Sequence, residues 1–240
     1  MNDGRKLILA SPHLIPKAAI CDPDLTLGLP SLMTAGAGMD AFTHCVEAVL
    51  SPMIDPPAEA VGLDGIERIF RGENLLKAVK DGSDKQARWN MMMAATEGAM
   101  AFTKGLGAVH SMSHACGANQ ELRLHHGTLN GVIIPTIIRI NKSHVGDKYE
   151  RISRSMGLPG SSDLAAVIEN FNNKIGLPKN LGEILLKFNK ILIPEINLGQ
   201  LSNIIRSNYL IDTINYNRIS GKPFTNSDIY NKILETLKGN

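Results

Sequence analysis

The stretch GAVHSMSHACGANQELRLHHG, residues 107–127, decides how the chain is read. It sets His110 and His114 four residues apart, which on a helix puts both imidazoles on one face, and it ends with His125 and His126 directly before Gly127. Four of the seven histidines fall here, so any imidazole chemistry is concentrated in this segment. Upstream, GMDAFTHC repeats the spacing with Asp40 and His44. One carboxylate and several imidazoles on two helical faces make a candidate divalent-metal site, because mixed oxygen and nitrogen donors suit Fe2+ or Zn2+. A lone histidine on an apolar face is more often a hydrogen-bonded core residue, and an Asp/His pair at this spacing is common on helix surfaces. A metal is favoured by the coincidence of two such pairs in small, apolar, uncharged sequence, where isolated polar groups would be costly without a shared counter-charge.

Other chemistries have less support. The metalloprotease pattern HExxH is absent, no His-Asp dipeptide exists for a phosphohydrolase, and Glu121 and His125 stand four apart rather than at the Glu-x-x-His spacing of di-iron bundles. No GxSxG supports a serine hydrolase.

Outward from the histidines the pattern is mainly helical. Residues 31–50 place Met33, Met39, Phe42, Val46, Val49 and Leu50 at near-helical spacing and end at Ser51-Pro52. A helix over 57–80 is opened by Pro56-Pro57, with Gly72 as a point of breakage, and a third over 84–103 is rich in Met and Ala. That methionine run reads as core filler rather than as sulfur ligands. Residues 127–143 read as a helix that absorbs Pro135 as a kink or in its first turn. Helices are expected over 147–157, 162–175 and 179–192, and a last one is capped by Asn226 or Ser227. Only residues 5–10 and 16–21 read as strands, since turn residues bound both runs. Residues 161–240 hold thirteen of nineteen Asn and two of twenty Ala, a shift that marks a peripheral helical layer.

Composition bounds the partners. With 25 basic and 23 acidic residues in 240, a net charge of +2 and no basic block, nucleic acid is not an expected partner. Cys21, Cys45 and Cys116 are odd in number and widely spaced, which fits a reducing cytoplasm. No apolar run reaches the ~18 residues a membrane span needs.

Taken together, CDPDLTLGLP, GMDAFTHCVEA, GLGAVHSMSHACGA and LHHGTLNGVIIP resemble, in order and spacing, the iron-containing (group III) alcohol dehydrogenases. NYNRISGKPFTNSDI is a weaker echo of that family's closing segment. The resemblance implies a mainly α, dehydroquinate synthase-like helical domain over residues 29–240, with residues 1–28 and their two short strands a remnant of an α/β nucleotide-binding domain. It implies a metal, Fe2+ or alternatively Zn2+, held by Asp40, His44, His110 and His126, with His125 as the rival for the last position. His114 matches a histidine near nicotinamide and substrate, with a proton-relay or positioning role; its alternative is a core hydrogen-bonding residue.

The implied activity is hydride transfer between a small alcohol or aldehyde and NAD(P). The glycine-rich phosphate turn of the family has no counterpart in residues 1–30, so the expectation is a truncated chain, lacking on the order of 150 residues, with impaired cofactor binding. Such a chain should self-associate as a homo-oligomer or work with the missing domain in trans. The competing reading is a non-catalytic metal-binding domain or interaction module.

Overall fold

A computed structural model describes residues 11–117, 124–186, 188–195, 198–219 and 224–238. The chain divides into two compact units, Met1–Lys179 and Asn180–Asn240. Among the described residues no helix is long and apolar enough to cross a membrane.

The first unit is built on α1 (Ser31–Leu50), which packs against α2 (Pro56–Phe70), α3 (Asn74–Lys80), α4 (Lys85–Ala101) and α6 (His126–Asn141). Its apolar and small residues run all the way round, so it is a core helix rather than an amphipathic one. Ala35, Met39, Phe42, Cys45, Val46 and Val49 are all fully buried. α2 starts where Asp55 accepts a hydrogen bond from the Ala58 N–H at 3.2 Å, with two prolines in its first turn. The expected break at Gly72 is present: Gly72 and Glu73 take φ of +86° and +55°, and α3 starts afresh at Asn74. In α4 the close packing belongs to Ala87, Ala94, Gly98 and Ala101, while the neighbouring methionines lie at the partly buried margin.

α5 (Ala108–Gly117) and α6 bracket the histidine-rich stretch. Pro135 lies inside α6, where it cannot donate to the carbonyl of Gly131 one turn earlier. Asn172 of α8 (Leu164–Lys174) fills that place, its Nδ2 donating to the Gly131 oxygen at 2.7 Å. α7 (Lys148–Ser155) is tied to α2 by Glu59, which pairs with Arg151 and with the fully buried Lys104.

The expected strand over 16–21 does not form. These residues run exposed and irregular, with Ile20 93% accessible, because among the described residues they have no strand to pair with. The run at 5–10 lies outside the described residues. Strands occur instead in the second unit, where β1 (Leu192–Glu195) pairs in parallel with β2 (Ile214–Asn217), Leu192 opposite Ile214. The helix expected over 179–192 is thereby cut to α9 (Leu181–Leu185), since the β-branched run ending in Pro194 makes a short edge strand. α10 (Gln200–Tyr209) is the crossover, and Leu185, Ile193, Ile205 and Ile211 form a small core. α11 (Asn226–Lys238) is capped by Thr225 rather than by Asn226 or Ser227. Thr225 Oγ1 accepts from the Asp228 N–H at 3.2 Å and Asp228 answers to the Thr225 N–H at 2.8 Å, a reciprocal capping box.

One ionic cluster has a pH signature. Arg68 Nε lies 2.7 Å from Glu97 and 2.9 Å from Asp64. Burial, and after it the neighbouring Asp64 carboxylate, push the Glu97 carboxyl up to about 7 against the pull of Arg68. The folded state therefore keeps a proton that the unfolded chain releases near 4.5, and stability falls as pH rises through that window. Replacing Glu97 by Gln should flatten urea-derived stability between about pH 4.5 and 7, removing a slope worth on the order of 1 kcal/mol after solvent screening. An unchanged slope would contradict this assignment.

Candidate metal centre

Three helices present the site. On α1, Asp40, His44 and Glu47 stand one turn apart on a single face. On α5, His110, Ser113 and His114 share a face, and on α6 His126 and Asn130 do. Glycine brings the elements together: a Cβ on Gly127 would lie 2.1 Å from the Gly36 carbonyl oxygen, so α1 and α6 touch backbone to backbone. Likewise a Cβ on Gly98 would meet His44 Cβ at 3.1 Å.

The result is convergence. Asp40, His44 and His110 each offer a ligand atom, and these atoms lie within 4.8 Å of one another. Asp40 Oδ1 is 3.4 Å from His110 Nε2 and 3.4 Å from His126 Nε2. The His44 ring stacks on His110 with centroids 4.3 Å apart, and the tilted Phe102 ring lies 5.4 Å from it. His114 is half-buried, its ring 4.6 Å from that of His126 and 6.2 Å from that of His110.

His125 is placed otherwise. It is the N-cap of α6, its Nδ1 accepting from the Thr128 N–H at 3.3 Å, and its ring fills the space beside Gly36. That capping role occupies one ring nitrogen and fixes the imidazole against α1, while His126 faces Asp40.

Sequence reasoning missed the groups that aim these imidazoles. Glu47, 4% exposed, lies 2.7 Å from His110 Nδ1 and also accepts from the backbone N–H of Gly107 at 2.9 Å and of Val109 at 2.7 Å. One carboxylate thus caps the amino end of α5 and orients a histidine on it, a position that the helix dipole also favours. Ser113 Oγ is 3.2 Å from His126 Nδ1, which leaves Nε2 of that ring facing Asp40. Glu47 follows Asp40 by seven residues, two helical turns, and that spacing was the available signal.

The electrostatics follow from the packing. Burial alone would lower the His110 pKa, but hydrogen bonds and charge from Asp40 and Glu47 outweigh it and raise the group to about 9. Burial resists ionisation of Asp40 and Glu47 as well, yet the hydrogen bond to His110 and, for Glu47, the two backbone N–H groups hold both carboxyls below their ordinary range. His44 is lowered, chiefly by burial.

These residues fit a cation. Asp40, His44 and His110 offer ligand atoms within reach of one ion, and His126 turns its Nε2 towards Asp40. The His110 and His126 rings are each bonded through Nδ1, and a buried amide oxygen, Asn130 Oδ1, has no hydrogen-bond partner. Such a donor set suits Fe2+ or Zn2+.

Residues 34–193 match the family described as Fe-containing alcohol dehydrogenase, C-terminal. The chain belongs to the iron-containing alcohol dehydrogenase family. It is 46% identical over 191 residues to the 4-hydroxybutyrate dehydrogenase of Cupriavidus necator, covering 77% of this chain and 50% of that one. It is 35% identical over 191 residues to the 1,3-propanediol dehydrogenase of Klebsiella pneumoniae, covering 76% and 48%. A crystal structure of 1,3-propanediol oxidoreductase superposes with a TM-score of 0.63 at 35% identity, covering 68% of this chain and 44% of that one. An iron-containing alcohol dehydrogenase from Thermococcus thioreducens does so with 0.68 at 25% identity, covering 97% and 57%. The chain therefore spans about half the length of the curated relatives it matches.

Exchanging Glu47 for Gln should weaken metal affinity by on the order of 10- to 100-fold, because the His110 ring loses its anionic partner. Stability should fall by about 1–3 kcal/mol as the amino end of α5 loses its charge. Metal titration and urea unfolding measure the two effects, and wild-type metal affinity in the variant would contradict the role given to Glu47.

Proposed function

We propose that this chain forms the metal-binding half of an NAD(P)-dependent alcohol dehydrogenase, with Fe2+, or Zn2+ in its place, held by Asp40, His44, His110 and His126. The supporting observation is the convergence of Asp40, His44 and His110, whose ligand atoms lie within 4.8 Å of one another, with His126 Nε2 turned to within 3.4 Å of Asp40 Oδ1. When bound, the metal supplies Lewis acidity, lowering the pKa of an alcohol hydroxyl or polarising an aldehyde.

The chain's own residues do the remainder. Glu47 and Ser113 fix the orientation of His110 and His126. The Phe102 ring packs beside His44. His114, half-buried beside His126, takes up or returns the hydroxyl proton on its imidazole and positions the substrate. The substrate class is a short alcohol or its aldehyde, in keeping with relatives that are 4-hydroxybutyrate and 1,3-propanediol dehydrogenases. The dinucleotide is held outside the described residues, by an α/β half such as the family carries. Exposed Leu14, Ile15, Ile20 and Leu25 support a surface that such a half, or a second copy of the chain, covers. The reaction belongs to the cytoplasm, which keeps the three free thiols reduced.

Purified chain should carry about one metal ion, and His110→Ala should lose at least nine-tenths of it while melting as a folded protein. Alcohol-dependent NAD(P) reduction should appear when a nucleotide-binding half from a family member is added, and not with the His110→Ala variant. Metal retained by His110→Ala would overturn the ligand assignment. Metal without activity in any such mixture would favour the non-catalytic metal-binding reading instead.

A further inference from the structure

Asn130 is the one fully buried amide in the metal centre, and nothing in the four-ligand account uses it. It follows His126 by one turn of α6, so both side chains project to the same side. Its Nδ2 lies 2.6 Å from Asp40 Oδ1, 3.3 Å from His110 Nε2 and 3.2 Å from His126 Nε2. These are three of the four atoms that a cation would face. Its other end, Oδ1, is buried with no hydrogen-bond partner, although buried amide oxygens are nearly always paired.

The two observations have one physical cause. The Asp40 carboxylate and an imidazole lone pair turned towards one point need hydrogen-bond donors there, and the two N–H groups of the amide supply them. A cation arriving there would meet the two N–H hydrogens of the same group head on. A half-turn about the Cβ–Cγ bond exchanges the amide ends without moving the backbone. It sends the NH2 towards the space where Oδ1 lacks a donor, and it brings an oxygen, a suitable donor for Fe2+ or Zn2+, to the ligand atoms.

We propose that Asn130 is an exchangeable element of the metal centre: its NH2 end holds the ligand atoms together without metal, and its carbonyl oxygen turns to the cation on loading. This inference rests on the metal reading above. It makes Asn130 a positioning residue that sets affinity and coordination number, and it assigns a use to the unpaired oxygen.

Co2+ is the probe, since its visible absorption reports coordination number as well as binding. Wild-type chain should bind about one Co2+. Asn130→Leu, close in volume but without either polar end, should bind it on the order of tenfold more weakly, with a more intense visible band per cobalt as one oxygen contact is lost. Asn130→Asp, which keeps an oxygen, should restore the weaker wild-type band and at least the wild-type affinity. Melting of each metal-free variant separates misfolding from lost ligation.

Should Asn130→Leu not fold, the wild-type protein still decides. Among its side-chain 15N–1H amide resonances, the pair that is missing from Asn130→Asp should shift during a Zn2+ titration. A Leu variant with wild-type affinity and spectrum would overturn the inference, as would an Asn130 amide resonance unmoved by Zn2+. No Co2+ binding by the wild-type chain would instead overturn the metal reading on which it rests.

Discussion

The centre depends on a contact between two backbones. α1 and α6 meet where Gly127 sits on the carbonyl of Gly36, with no room for a methyl group between them. Only at that separation can Asp40 and His126, on different helices, come within 3.4 Å. A second tight approach, Gly98 against the His44 side of α1, sets the opposite wall. The small residues that make the middle of the chain look bland are thus what allow ionisable side chains to face one another in a close-packed interior.

Burying two carboxylates and several imidazoles is costly unless each finds a partner. Here the partners are shared between folding and function. Glu47 satisfies the amino end of α5 and the outer nitrogen of His110 with one carboxylate. Ser113 bonds the His110 carbonyl and faces the outer nitrogen of His126. A change at either residue therefore disturbs helix geometry and site geometry together. His125 shows the same economy, its ring capping α6 while filling the space that Gly36 leaves open.

Much of this was legible beforehand, for identifiable reasons. α1, α4 and α6 carry a clear helical period bounded by proline, glycine or an acidic cap, and their limits agree with the reading of residues 31–50, 84–103 and 127–143 to within a few residues, while the helix read over 57–80 is two, α2 and α3, parted at Gly72. Short apolar runs were the weak point. Residues 16–21 look like a strand but have none to join among the described residues, and residues 191–195 look like the end of a helix but find β2 twenty-two positions downstream. Sequence spacing also pointed to Asp40, His44 and His110, because i,i+4 pairs mark one helical face. It could not point to Glu47 or Asn130 with the same force. Their partners lie 63 and 90 positions away, and only the packed helices bring them together.

The central claim is that one cation sits where three imidazoles and one carboxylate meet. Anomalous diffraction at the zinc edge from crystals of the metal-loaded chain tests it most directly. The account predicts a single strong peak within about 2.0–2.2 Å of a carboxylate oxygen of Asp40 and of one ring nitrogen each of His44, His110 and His126. A peak held by other residues, or none at that point in a crystal with ordered side chains there, would contradict it.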